Sequence, residues 1–141
     1  MAEALTKARV PEGWSTELDI SSAGTFGWDG QPASSIGVSV MKDLGIDTTD
    51  HRARALTPEL VDGADLIVVM EQAHRDEIVR ISPGSEGKIV VLGALDPKRD
   101  NPDIMDPIGG DRETYARTRD EIDRLVYFLI KYVADKFGLT R

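Results

Sequence analysis

The sequence has 141 residues, 40% of them hydrophobic and 30% charged, an ordinary balance for one soluble globular unit with one core. Seventeen Lys and Arg against 25 Asp and Glu leave a formal charge of -8, which excludes a nucleic-acid or anionic-membrane surface built on clustered cations. Cysteine is absent, so these residues hold no disulfide, no thiolate metal site and no thiol nucleophile.

Met1-Ala2-Glu3-Ala4-Leu5 reads as the body of a helix, with good helix formers throughout and neither a capping residue nor a strand ahead of it. No signal peptide precedes this acidic helix and no apolar run approaches the ~20 residues of a membrane span, so a cytoplasmic protein is expected. Pro11-Glu12-Gly13 breaks the helix, and the alternation over residues 16–22 predicts a strand. Ala23-Gly24-Thr25 opens a glycine-rich loop in which Trp28 either packs over the core or walls a pocket. Ile36, Val40, Met41 and Leu44 then fall at helical spacing over residues 33–44, with Gly45 as terminator. Thr57-Pro58-Glu59 carries an N-cap residue followed by proline at the first helical position.

Residues 65–70, Asp-Leu-Ile-Val-Val-Met, and residues 88–92, Lys-Ile-Val-Val-Leu, are apolar without alternation, as parallel strands covered on both faces should be. A helix over residues 71–81 lies between them and stops at Ser82-Pro83-Gly84. The loop over residues 93–110 is rich in proline and aspartate, and unstructured loops longer than about 12–15 residues are usually functional or disordered. A long helix over residues 111–137 closes the chain, with Ile122, Leu125, Val126, Leu129, Val133 and Phe137 as its apolar stripe. Glu113 with Arg117 and Asp120 with Arg124 are expected as i,i+4 pairs on its wet side. The alternation predicts an α/β fold of three layers, a parallel sheet flanked by helices, with ligands bound beyond the carboxyl ends of its strands.

Asp106-Pro107, followed by Ile108-Gly109-Gly110, is the best catalytic candidate: a carboxyl held by proline beyond the last strand can act as a general acid. The competing reading of the same residues is a turn started by Asp-Pro. His51-Arg52-Ala53-Arg54 either meets an anion or orients a neighbouring loop, or else forms a solvated loop with local salt bridges. Two histidines without metal-ligand spacing give no zinc site, and the glycines of Gly84-Ser85-Glu86-Gly87-Lys88 are spaced for neither a Walker loop nor a dinucleotide fingerprint. No metal or cofactor is expected.

In order along the whole chain, these segments resemble the low-molecular-weight protein tyrosine phosphatase family, which includes bacterial protein arginine phosphatases and thioredoxin-coupled arsenate reductases. Met1-Ala2-Glu3-Ala4-Leu5 is similar to the helix after the family's phosphate loop, and Ser21-Ser22-Ala23-Gly24-Thr25 to its second strand and turn. Gly45-Ile46-Asp47, His51-Arg52-Ala53-Arg54 and Ala64-Asp65-Leu66-Ile67-Val68-Val69-Met70 continue the likeness, and Asp106-Pro107 is similar to the acid loop. The resemblance implies a two-step reaction on a phosphorylated protein, in which a cysteine attacks phosphorus, an arginine holds the phosphate and Asp106 protonates the leaving group. It implies further that Trp28 stands at the pocket rim and that His51 and Pro107 support the site.

The family's Cys-x5-Arg-Ser-Pro would end immediately before Met1, so the chain is expected to be one domain shortened at its start, without the first, interior strand and without activity. A gap in the sheet, or a rearranged and unstable domain, should follow. Arsenate reduction is disfavoured because it needs further cysteines downstream. Ile108-Gly109-Gly110 in place of aromatics after Asp-Pro is more like the arginine phosphatase branch. The preferred reading is a monomeric phosphatase whose catalytic segment precedes Met1. The alternatives are a noncatalytic phosphoprotein-binding or regulatory relative, and a flavodoxin-like binding module sharing only the fold.

Overall fold

The computed structural model describes residues 1–25 and 29–140, and the two unbroken apolar runs lie at its centre. Ile67–Val69 forms β1 and Ile89–Val91 forms β2, paired in parallel with Ile67 opposite Ile89, Val68 opposite Val90 and Val69 opposite Val91. All six residues are β-branched, the side chains best suited to a pleated surface. A parallel pair needs a crossover, and α4 (Gln72–Ile81) supplies it.

Side chains alternate across a strand, and this divides the interior in two. Leu66, Val68 and Met70 pack into a core built on Leu5, Met41, Leu92, Ile104, Leu125 and Val126. On the other face Ile67, Val69, Ile89 and Val91 join Val61 and Ile78. The first core is roofed by α1 (Ala2–Arg9), α2 (Ser35–Lys42) and α5 (Arg112–Phe137), the second by α3 (Pro58–Gly63) and α4. The three-layer α/β arrangement is therefore the one expected.

Helix ends follow their local chemistry. Thr57 accepts from the Leu60 N–H with Pro58 at the first helical position, Ser34 accepts from Gly37, and Asp111 accepts from Thr114. Gly138, at φ 68°, ends α5 in the left-handed conformation that glycine adopts without steric cost. Along α5, Ile122, Leu125, Val126 and Leu129 are buried, while Phe137 is 41% exposed because the helix outruns the core.

Two expectations fail. Residues 16–22 form no strand: Glu12–Thr16 is a 3-10 turn and residues 18–23 have no regular structure. A strand needs a neighbouring backbone to take its N–H and C=O groups, and among the described residues a backbone bridge forms just beyond this segment, at Gly24, whose N–H donates to the Arg54 carbonyl and whose carbonyl accepts from Leu56, both at 2.9 Å. On α5, Glu113 and Arg117 form no ion pair among the described residues, and Asp120 and Arg124 do not meet. Arg124 reaches Asp96 at 2.9 Å and Arg119 takes Asp120 at 2.8 Å, because better-placed partners outcompete the weak i,i+4 attraction.

The turn after β2 (Leu92–Leu95) has no room for a side chain at Gly93, where a Cβ would lie 2.1 Å from the Pro102 carbonyl oxygen. Gly93→Ala is expected to lower unfolding free energy in urea by about 1–3 kcal/mol or more, the range for overpacking. Gly63→Ala, at a position with open space, is expected to be neutral or gain up to about 1 kcal/mol; equal losses at both positions would contradict the close-approach account.

Candidate functional site

The long loop beyond β2 is held by its own polar side chains. Asp96, 6% exposed, accepts from the Lys98 N–H at 2.9 Å and from Arg124 on α5 at 2.9 Å. Arg99 donates to the carbonyls of Asn101 and Asp103 and pairs with Glu121 at 2.8 Å. Asp103 then reaches α4: Glu71 provides no side-chain cap there, and the Gln72 N–H donates instead to Asp103 Oδ1 at 2.9 Å. Next to it the Ile104 N–H donates to the Met70 carbonyl at 2.8 Å, at the carboxyl end of β1, and the Ile104 side chain is 2% exposed.

From that anchor the chain turns outward and presents Asp106 to solvent. Asp106 Oδ1 accepts from the Ile108 N–H at 3.0 Å, and the Pro107 carbonyl accepts from Gly110 at 2.8 Å, so the carboxylate sits in a closed Asx-type turn. Gly109 has φ +81°, and a Cβ on Gly110 would lie 2.9 Å from the Pro107 oxygen and 3.0 Å from Thr114. The turn reading and the reactive reading of Asp106-Pro107 are thus compatible: one carboxyl oxygen holds the turn.

The charge of Asp106 is felt at the start of α1. Burial lowers the Met1 amino group below its ordinary pKa, against the opposing pull of the Glu3 and Asp106 charges, which places Asp106 within electrostatic reach of the helix N-terminus. The first N–H groups of a helix have no intrahelical acceptor and favour anions. Glu3 is fixed by Ser22 Oγ at 2.6 Å and Lys7 Nζ at 2.9 Å. Burial pushes the Glu3 carboxyl up, but hydrogen bonds from Ser22 and Lys7, with the charges of Lys7 and His51, outweigh it and leave the net value lowered.

His51 is half-buried, with its charge felt at Glu3. Arg54 donates to the Ser22 carbonyl at 3.0 Å and to Ser21 Oγ at 2.7 Å. Of the two readings of the basic spot, Arg54 orients the neighbouring segment and Arg52 binds the local carbonyls of Thr49 and His51. Asp106, Pro107 and His51 are described residues; Trp28 lies outside them. Among the described residues no group of three His, Cys, Asp or Glu side chains could hold a metal ion, and no helix is long and apolar enough to cross a membrane.

Sequence reasoning missed Asp103 and Ile104, the pair that attaches the loop. Their signal is faint: an apolar residue inside a polar, proline-rich loop. It also missed Trp14, 2% exposed, whose Nε1 donates to the Thr140 carbonyl at 2.8 Å.

The model of the family described as low molecular weight phosphotyrosine protein phosphatase matches residues 1–138. A probable low molecular weight protein-tyrosine-phosphatase EpsP of Ralstonia nicotianae is 38% identical over 107 residues, 76% of this chain and 68% of that protein. The solved YwlE arginine phosphatase of Geobacillus stearothermophilus superposes with a TM-score of 0.85 at 30% identity, covering 99% of this chain and 88% of that one. A second solved YwlE arginine phosphatase, a cysteine-to-serine mutant with a phosphorylated active-site serine, has a TM-score of 0.81 at 29% identity, covering 94% and 85%.

Glu3, Asp96 and Asp111 all sit below the ordinary carboxyl pKa; for Asp96 the Lys98 N–H and Arg124 are the cause, and for Asp111 the Thr114 hydroxyl and N–H. A lowered folded-state value stabilises at pH above the unfolded value of about 4, and that stability is lost as pH falls through the folded value. The urea midpoint is expected to hold from pH 7 to about 5 and to fall below about pH 4. Asp96→Asn should start lower and fall less steeply; parallel curves for the two proteins would contradict this assignment.

Proposed function

The chain belongs to the low molecular weight phosphotyrosine protein phosphatase family, and from that premise we propose that these 141 residues hold the acid half of a two-step cysteine phosphatase and not its nucleophile. The observation that carries the reading is Asp106, exposed in a closed turn beyond β2 with its charge felt at the start of α1. In such a reaction a thiolate attacks phosphorus as the bond to the leaving group breaks, and Asp106 gives its proton to the departing atom. Asp106 then takes a proton from the water that attacks the phosphoenzyme. Pro107 holds the turn, His51 supports the start of α1 through Glu3, and Trp28 is assigned to the pocket rim on family resemblance alone.

No thiol exists among these residues. A sulfur–phosphorus bond therefore cannot form from them, and a general acid with no departing group assists nothing. The phosphorylated active-site serine of the YwlE mutant supports a covalent phosphoenzyme in that relative. On the substrate side, a phosphorylated protein is the partner, taken by a monomer. Ile108-Gly109-Gly110 stands where tyrosine-directed members carry aromatics, which supports phosphoarginine over phosphotyrosine. The missing thiol equally favours a second reading, a noncatalytic relative that binds phosphoproteins.

The 141-residue chain is expected to hydrolyse neither phosphotyrosine nor phosphoarginine peptides above the buffer rate. Adding a strand and Cys-x5-Arg-Ser-Pro ahead of Met1 should confer turnover, and Asp106→Ala in that extended chain should lower it by about 10²–10⁴-fold. Asp106-dependent turnover by the 141 residues alone would contradict the proposal. An extended chain that folds and binds phosphopeptide without turnover would favour the noncatalytic reading.

A further inference from the structure

With cysteine absent, the sulfur of this chain is carried by four methionines, and the fold treats them very differently. Met41 is fully buried, while Met1 and Met70 are partly buried against the same core. Met105 is 80% exposed. It stands between Ile104, which is fastened to Met70, and Asp106. Ile108, 78% exposed, follows Asp106-Pro107, so an exposed apolar residue stands on each side of that pair in the chain.

Methionine oxidation needs the oxidant to reach the sulfur, and in proteins with exposed thiolates the thiolate competes for it. Among these residues the candidates are the four methionines, and their burial separates them. We propose that Met105 is a peroxide-modification site of this chain, and that its sulfoxide marks the acid loop. In the step, a sulfur lone pair attacks one oxygen of hydrogen peroxide and the O–O bond breaks. The other oxygen leaves as water after proton transfer, so sulfur loses two electrons and the peroxide gains them. The product replaces an apolar thioether with a polar, chiral sulfoxide one residue from Asp106, and dedicated reductases restore either epimer.

The selectivity follows from burial alone. Its meaning for catalysis rests on the phosphatase reading, so the test reads chemistry and local structure rather than turnover. Native chain is treated with limiting hydrogen peroxide, quenched and mapped by peptide mass spectrometry. Met105 sulfoxide is expected to form at least about fivefold faster than sulfoxide at Met41 or Met70, with the gap closing in urea, since exposure sets the rate. A smaller native ratio, or a gap that persists in urea, would overturn the proposal. Met105→Leu should remove the fast phase and leave the slow ones. In the oxidised chain the amide resonances of Asp106 and Ile108 should shift while that of Val68 stays; unchanged acid-loop resonances would show that the sulfoxide does not mark the loop.

Discussion

One hydrogen bond, from the Ile104 N–H to the Met70 carbonyl, ties the long loop after β2 to the carboxyl end of β1. Met70 is the first residue beyond the β1 ladder, and Ile104 is driven into the core beside it, so the backbone bond forms where water is largely excluded. A buried carbonyl left without a partner costs about 1–3 kcal/mol, and the Ile104 side chain adds apolar burial of about 1.5–3 kcal/mol. These two contributions locate residue 104, and Asp106 follows two residues later. Asp103 adds a third tie by capping α4, so strand, crossover helix and loop meet at one point.

The aspartates of this loop divide by what their oxygens contact. Asp96 anchors the loop to α5, Asp103 closes the N-terminus of α4, and Asp111 just beyond it starts α5. Asp106 uses one oxygen for its turn and is otherwise exposed to solvent. An acidic composition that first excludes polyanion binding thus supplies the connections that give a proline-rich loop a shape. The net charge of -8 is in part these caps and anchors.

Elements whose signal is local were legible in the sequence. Both strands lie within their apolar runs, Thr57 caps α3 as its identity suggests, and α5 spans nearly the stretch expected for the long closing helix. The strand expected over residues 16–22 was not, because alternation states a preference while a strand also needs a hydrogen-bonding neighbour. The ion pairs of α5 were misassigned for a related reason: Arg124 prefers Asp96, 28 residues away, and helical spacing carries no information about that loop. At the site, Asp106-Pro107 stood out by chemistry alone. Its attachment through Ile104 depends on a contact between distant segments, which no local pattern encodes.

The chain carries Asp106 in a closed turn beyond β2 and carries no cysteine. The loop that carries Asp106 is shaped by its ties to β1 and α4, independently of any thiol or bound phosphate. Amide hydrogen exchange of the 141-residue chain in the absence of ligand tests this directly. The Ile104 amide is predicted to exchange as slowly as the amides of β1 that donate to β2. Exchange of Ile104 at the rate of an unprotected chain, with β1 still protected, would contradict it.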